Sequence, residues 1–179
     1  NLHIRKITKR EVRKENYGQK IFDLINIAYK DLYDYTKLPQ EVIDNYIKTY
    51  LGLLDLNYVV LVENEKDELV GVGITMPSLS HAVQKTHGYL FPFGFVHILK
   101  ALKKNDTMDA LLIAILPEYQ SKGVNSLMFE KLIHNCRRDG FTKLESTREL
   151  ADNIAVQNLW SKLEHKQHKR ARTYKKLLK

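Results

Sequence analysis

The stretch Ile113-Ala114-Ile115-Leu116-Pro117-Glu118-Tyr119-Gln120-Ser121-Lys122-Gly123-Val124-Asn125-Ser126-Leu127 constrains the fold more than any other part of the chain. An apolar run that stops at a proline reads as the end of a buried strand. The polar loop after it holds a single glycine. Apolar residues then resume at helical spacing through Val124, Leu127, Met128, Leu132, Ile133 and Cys136, and Gly140 suits the stop. A strand that turns tightly into a helix gathers free backbone N–H groups, here from about residue 121 to 126, and the positive end of the helix dipole at one point. That is the chemistry of an anion site. Gly123 lets a ligand approach the backbone where a Cβ would stand in the way, and Lys122 adds a mobile positive charge. The loop is neither a Walker motif nor a dinucleotide Gly-x-Gly-x-x-Gly fingerprint. On spacing alone, an ordinary capped strand-loop-helix turn accounts for the same pattern.

The remaining segments supply a mixed α/β frame for this turn. Residues 2–7 alternate as a half-buried strand. Helical faces follow from Tyr17 (Ile21, Leu24, Ile25, Ala28, Leu32) and over residues 40–54 (Val42, Ile43, Tyr46, Ile47, Tyr50). Two β-branched runs, residues 58–62 and 69–74, flank the charged residues 63–68 and read as an antiparallel hairpin. Residues 78–105 mix helix-like and loop-like segments with Tyr89, Phe91, Phe93 and Phe95, and read as an insertion. Residues 107–116 form the central strand, 141–147 a short strand, 152–163 a helix capped by Asp152 or Asn153, and 170–178 a last strand. A single domain over residues 1–179 is expected, since the length suits one core and no linker or repeat interrupts it.

The net charge of +8 has to be located before it is used. Residues 161–179 contain eight Lys/Arg against one Glu, so the rest of the chain is close to neutral. A basic tail of this kind steers anions, pairs with a second subunit as in a homodimer, or contacts nucleic acid. The last is disfavoured because few aromatic residues accompany the charge. The oligomeric state stays open. No apolar run reaches the length of a membrane span, so no membrane partner is expected. Cys136 is the only cysteine, and with no signal peptide visible a reduced, cytoplasmic protein is expected. The sequence opens on Asn1 instead of Met, which is compatible with a preceding leader or domain.

The run Ile-Leu-Pro-Glu-Tyr-Gln-Ser-Lys-Gly-Val resembles the acyl-CoA signature of the GNAT superfamily of N-acyltransferases, Gln/Arg-x-x-Gly-x-Gly/Ala after an apolar strand. Gln120 and Gly123 match it, and Asn125 occupies the last small-residue position. The order of elements is similar too, outside residues 78–105. The resemblance implies a mostly antiparallel, mixed central sheet flanked by helices, with the insertion just before the central strand. It also implies a bulge in that strand and acetyl-CoA or another acyl-CoA as cofactor. Ile115 and Leu116 would offer backbone groups to pantetheine, with an N–H near Leu116 for the oxyanion. Gln120, Ser121, Lys122, Gly123, Val124, Asn125 and Ser126 would hold the pyrophosphate. Asn153 matches the Asn that opens the family's next helix. Trp160 stands where the family often has a tyrosine acid.

The implied reaction moves an acyl group to a primary amine of a small molecule or peptide. An indole N–H is far too weak an acid to protonate a departing thiolate, so Trp160 reads as core or pocket wall, and Tyr174 is the replacement acid. Asp109, Glu145 and Glu149 are the carboxylates available as base, with Glu145 first because it should lie near the strand gap. For each of them a solvated or ion-paired carboxylate is the more ordinary reading. The insertion's aromatic residues close over an acceptor or form a satellite core. No histidine pair has the spacing of a zinc site, so no metal is expected, and Cys136 falls on an apolar helix face as a core residue. The alternative function is a catalytically inactive CoA-binding or interaction module of the same fold.

Overall fold

Period-two alternation becomes a mixed five-stranded sheet in the spatial order β1-β2-β3-β4-β5, formed by β1 (His3–Arg5), β2 (Val59–Glu63), β3 (Leu69–Pro77), β4 (Thr107–Ile115) and β5 (Lys143–Ser146). The computed structural model describes residues 1–179 except 34, 52–53, 152, 162, 175 and 177–179. Contacts divide the chain into two units, Asn1–Glu145 and Ser146–Lys179. The first also holds the helices α1 (Lys9–Lys14), α2 (Tyr17–Ala28), α3 (Gln40–Tyr46), α4 (Ser80–Lys85), α5 (Gly94–Lys103) and α6 (Val124–Arg138). The second holds α7 (Ile154–Trp160).

Helix α1 had no apolar periodicity to announce it and rests on a capping box. Glu11 N–H donates to Thr8 Oγ1 at 3.3 Å, and Thr8 N–H donates to Glu11 Oε2 at 2.7 Å. Helix α2 ends at Ala28, well short of the stop expected near residues 35–39, and α3 runs into a π-helical stretch, Ile47–Leu51. The insertion is two helices, α4 and α5.

Strands β1 to β4 pair antiparallel in sequence order. Thr142 and Lys143 N–H groups both donate to Asp106 O, so β4 and β5 begin side by side and run the same way. The sheet is buried on both faces. Val59, Leu61, Val72, Ile74 and Ala114 meet Val12, Tyr17, Ile21, Leu24 and Ile25 on one side. Val60, Val62, Val70 and Ile115 meet Val124, Met128 and Leu132 of α6 on the other. Each such side chain, fully buried, contributes about 1.5–3 kcal/mol.

Two features of the sheet position the site. Gly71 and Gly73 face α6: a Cβ on Gly71 would lie 2.6 Å from Val124 Cγ1, and one on Gly73 would lie 3.3 Å from Leu132 Cδ1. The missing side chains let α6 sit close to the sheet. In β4, the register steps from Ile74↔Leu112 to Thr75↔Ala110, leaving Leu111 as an extra, bulged residue.

Glu63, the first of the charged residues between the two runs, belongs to β2. Alternation along β2 puts it on the same face as Leu61, where it is 1% exposed and accepts a 2.7 Å hydrogen bond from Tyr17 OH. The expected last strand is absent among the described residues of 170–178, with 175, 177 and 178 outside that description. A strand needs an alternating apolar face, and this stretch is rich in Lys and Arg with every described residue exposed. Helix α7 is shorter than expected. Its cap is Asn153, and Asp152 lies outside the described residues.

Candidate active site

The backbone groups of β4 divide between its two edges. Leu116 N–H donates to Val70 O at 3.0 Å. Alternation of antiparallel pairs then turns the N–H and C=O of Ala114 and Leu112 toward β3 as well. Those of Ile113 and Ile115 point to the opposite edge, where β5 would continue. Strand β5 has only four residues and starts beside Asp106, so at about 3.3 Å per residue it runs out near the bulge. Past Leu111, no strand pairs with this edge of β4 among the described residues.

This corrects the role expected for Leu116. Its N–H is held by Val70, so it is not available as an oxyanion donor, and its carbonyl accepts from Tyr119 N–H at 2.9 Å. The N–H and C=O of Ile115 lie on the opposite edge.

Tyr29, the residue just after α2, stands at the same edge. Its hydroxyl donates to Ile113 O at 2.8 Å, and its ring meets Tyr35 edge-on at 5.9 Å. Burial pushes the Tyr29 phenol up to about 12, so it stays protonated at neutral pH. The sequence carries no signal for this residue beyond an aromatic side chain at a helix end.

At the C-terminal end of β4, Pro117 to Tyr119 form one tight turn, and the chain reaches α6 through two left-handed residues, Ser121 (φ 62°) and Gly123 (φ 86°). No side chain caps α6, so the first-turn N–H groups of Val124, Asn125 and Ser126 are left without intrahelical acceptors. A Cβ built on Gly123 would meet nothing within 4 Å. Gln120, Ser121, Lys122, Gly123 and Ser126 are exposed, Val124 is buried in the core, and Asn125 is half-buried. The Asn125 Oδ1 atom is buried without a hydrogen-bond partner. The Lys122 ammonium lies 5.3 Å from the centre of the Tyr119 ring.

The turn between β2 and β3 fixes this loop from below. Asn64 Nδ2 donates to Tyr119 OH at 2.9 Å and to Glu68 Oε2 at 2.7 Å, while Asn64 Oδ1 accepts from the N–H groups of Lys66 and Glu68. Nothing in the sequence singles out Asn64, which lies among the residues between two strands, as an anchor.

The other expected residues are more dispersed. Glu145 is half-buried on β5, next to the β4 edge in strand order. Cys136 is half-buried against Tyr58, Met108 and Phe141, and burial pushes its thiol up, as suits a packing residue. In the second unit, Asn153 Oδ1 accepts from Val156 N–H at 3.3 Å and so serves as a helix cap. The Trp160 indole donates to Glu149 at 2.5 Å. Tyr174 is 84% exposed. One cluster has metal-ligand chemistry among the described residues, His3 with Glu63 and Asp67. His3 Nε2 lies 3.6 Å from Glu63 Oε2 and 3.5 Å from Asp67 Oδ1, which equally suits a charge-paired imidazolium.

The profile of the acetyltransferase (GNAT) family matches residues 19–164. The Escherichia coli K12 protein YghO is 26% identical over 134 residues, which cover 71% of this chain, and the match spans about a third (33%) of that relative's length. Among solved structures, the aminoglycoside acetyltransferase AAC(6')-Iy in complex with a CoA bisubstrate analogue aligns over 99% of each chain. The TM-score is 0.59 and the identity 12%. The diaminobutyrate acetyltransferase EctA of Paenibacillus lautus, bound to diaminobutyric acid and coenzyme A, covers 90% of this chain and 74% of its own, with TM-score 0.55 and 15% identity. A protein of Pyrococcus horikoshii aligns over 96% of this chain and 92% of its own, with TM-score 0.64 and 15% identity. At such identities the likeness is one of fold.

Proposed function

The chain belongs to the GNAT family of acetyltransferases, and from that premise we propose that it transfers an acetyl or similar acyl group from acyl-CoA to a primary amine of a small molecule or peptide. One observation carries the reading. The strand bulged at Leu111 leads through the turn at Pro117–Tyr119 into the uncapped start of α6, so the β4 edge and a cluster of free backbone N–H groups follow one another along the chain.

The residues present suit acyl-CoA. On the β4 edge the N–H and C=O of Ile115 offer a donor and an acceptor to the pantetheine amides, while the Ile113 carbonyl is engaged by the Tyr29 hydroxyl. The backbone of Gln120, Ser121, Lys122, Gly123, Val124, Asn125 and Ser126 surrounds the pyrophosphate position, and Gly123 leaves it open. The orphaned Oδ1 of Asn125 marks a place where an amide flip would present N–H instead. Asn125 therefore reads as a donor to the anion, not an obstruction. When bound, acetyl-CoA supplies an activated thioester carbonyl.

The chain has to orient that carbonyl, take a proton from the amine and return one to the thiolate. Ile113 N–H, beside the bulge, is the donor assigned to the carbonyl oxygen. Glu145 is the base assigned to the amine. Two phenols are candidates for the acid. Tyr29 is fixed at the β4 edge and keeps its proton at neutral pH, whereas Tyr174 is carried by the extended tail. AAC(6')-Iy and EctA act on polyamino small molecules, which favours an acceptor of that kind.

Calorimetric titration with acetyl-CoA tests the cofactor site, and thiol release with a panel of primary amines tests the reaction. At about 100 times the dissociation constant, bound ligand should add roughly 2.7 kcal/mol of stability. No binding would refute the proposal. Binding without turnover on any amine would favour the inactive module, for which the observation is that Trp160 replaces the usual tyrosine acid and is engaged with Glu149.

A further inference from the structure

The two-helix insertion between β3 and β4 carries nine exposed large apolar side chains. Tyr89 is 74% exposed, Phe91 81% and Phe93 73%, and Leu90 is 54% exposed between them. These residues form the tip between α4 and α5, so the aromatic cluster is not a satellite core. The apolar surface continues along α5. Phe95, Leu99 and Leu102 recur at helical spacing and are 44%, 53% and 42% exposed, with Val96 beside them at 48%. His97, Ile98 and Ala101 occupy the half-buried side of the helix. An apolar stripe turned to solvent on a helix that also has an inward face marks a binding surface.

Charge decides what the surface fits. Residues 69–105 contain no Asp or Glu, but they hold Lys85, Lys100, Lys103, Lys104 and three histidines. Lys100 and Lys103 sit on α5 directly beside the exposed stripe. A twofold contact with a second copy would bring these lysines against one another with no carboxylate in the segment to offset them. An apolar pocket on a partner protein would leave them without a role. Aromatic and leucine side chains at a protruding tip, rimmed by lysines whose stems reach along the apolar surface, match the boundary between acyl chains and anionic headgroups.

We propose that the α4–α5 element docks this chain on the surface of an anionic lipid bilayer. Phe91 and Phe93 enter the interface, the Phe95–Leu99–Leu102 stripe lies along it, and Lys100, Lys103 and Lys104 meet lipid phosphates. The absence of a spanning segment does not bear on this, because an interfacial helix lies in the membrane plane instead of crossing it. The proposal does not depend on acyl transfer.

Co-sedimentation of the full chain with phosphatidylcholine vesicles, and with vesicles of equal parts phosphatidylcholine and phosphatidylglycerol, tests it. Binding is expected to the anionic vesicles only and to weaken with salt. The variant K100Q/K103Q should lower the partition coefficient roughly thirtyfold, at about fivefold per lysine. F91S/F93S should abolish binding, with an unchanged thermal midpoint because both side chains are already in solvent. As an independent readout, F91W should show a blue-shifted emission with anionic vesicles. Equal binding to both vesicle types, no binding to either, or variants that bind like wild type would overturn the proposal. So would a dimer, seen by light scattering, that F91S/F93S converts to monomer, since the face would then serve a second copy.

Discussion

Replacing Gly71 by alanine should move α6 and with it the turn that precedes the helix. The added Cβ would lie 2.6 Å from Val124 Cγ1, about 1 Å short of ordinary contact, while its next neighbours, Met128 Sδ and Ile115 Cγ1, would be comfortable at 3.6 and 3.7 Å. Val124 is 1% exposed and is the first residue of α6, so it cannot swing into solvent. Overpacking of this kind costs about 1–3 kcal/mol. Restricting the unfolded chain at a former glycine returns about 0.4–1 kcal/mol. The expected net loss is therefore about 1–2 kcal/mol, or about 2–8 °C in Tm for a chain of this size. Urea unfolding should show a lower midpoint at unchanged slope. The cause is isolated by adding Val124→Ala, which removes the obstructing methyl and on its own costs about 1.6 kcal/mol or more in lost burial. If the clash is real, G71A/V124A is more stable than the sum of the single variants predicts, by about 1 kcal/mol. A cycle additive within about 0.5 kcal/mol, or a G71A protein as stable as wild type, would refute the account of how α6 is seated.

Gly123→Ala meets no atom but must hold φ near 86°, so a loss of about 1–2 kcal/mol is expected from the backbone alone. Weaker acetyl-CoA binding by calorimetry should accompany it, and unaltered affinity would argue against this turn as the pyrophosphate site. The Arg138 guanidinium, helped by the Tyr58 hydroxyl, holds the Asp139 carboxyl at about 2, below its ordinary 3.8. Its contribution is therefore complete above about pH 4 and lost as the pH falls through about 2. Asp139→Asn should flatten the fall of the urea midpoint over that window, and a fall parallel to wild type would contradict the pairing. Tyr29→Phe removes the donor to Ile113 O. If this phenol is the acid, turnover drops with little change in KM and the alkaline limb of the rate profile shifts, whereas Tyr174→Phe leaves both as they are.

The strand-turn-helix of residues 107–138 was legible because three local signals agree there: a long apolar run, a proline stop and one glycine before a helical face. The alternating glycines of β3 were also in plain view, but only the packed helix shows that they mark a close approach. Glu63 shows where local reading fails. It is one of several charges between two strands, and nothing near it in sequence says that Tyr17, 46 residues earlier, supplies its hydrogen bond. Tyr29 and Ile113 are 84 residues apart and meet only because the end of α2 reaches β4. Leu116 was misassigned by a single step of register, which sequence cannot resolve, since each step exchanges the two edges of a strand. The tail failed for a different reason: residues 170–178 are dominated by Lys and Arg, and every described residue there is exposed.

Under the proposed reading, the two ends of β4 differ in how they recognise their ligands. At the C-terminal end the groups offered are the backbone N–H of Ile113, the N–H and C=O of Ile115 and the first-turn N–H groups of α6, which any side chain can present if the bulge and the left-handed glycine are kept. Such a site tolerates wide sequence change, and it explains how Asn125 can replace a small residue without closing the turn. At the N-terminal end, β4 is joined to α5 by two residues and a half-buried Asn105 whose side chain donates to Ser78 O. What stands there is built from side chains: an acid-free insertion with an aromatic tip. Specificity for a cofactor thus lies in geometry, which the fold supplies. Specificity for an acceptor, or for the surface on which the acceptor is met, lies in residues 78–105. Exchanging that segment should alter where and on what the chain acts, while leaving acetyl-CoA affinity near that of the parent. A large loss of cofactor affinity in such an exchange would show that the two ends are not separable.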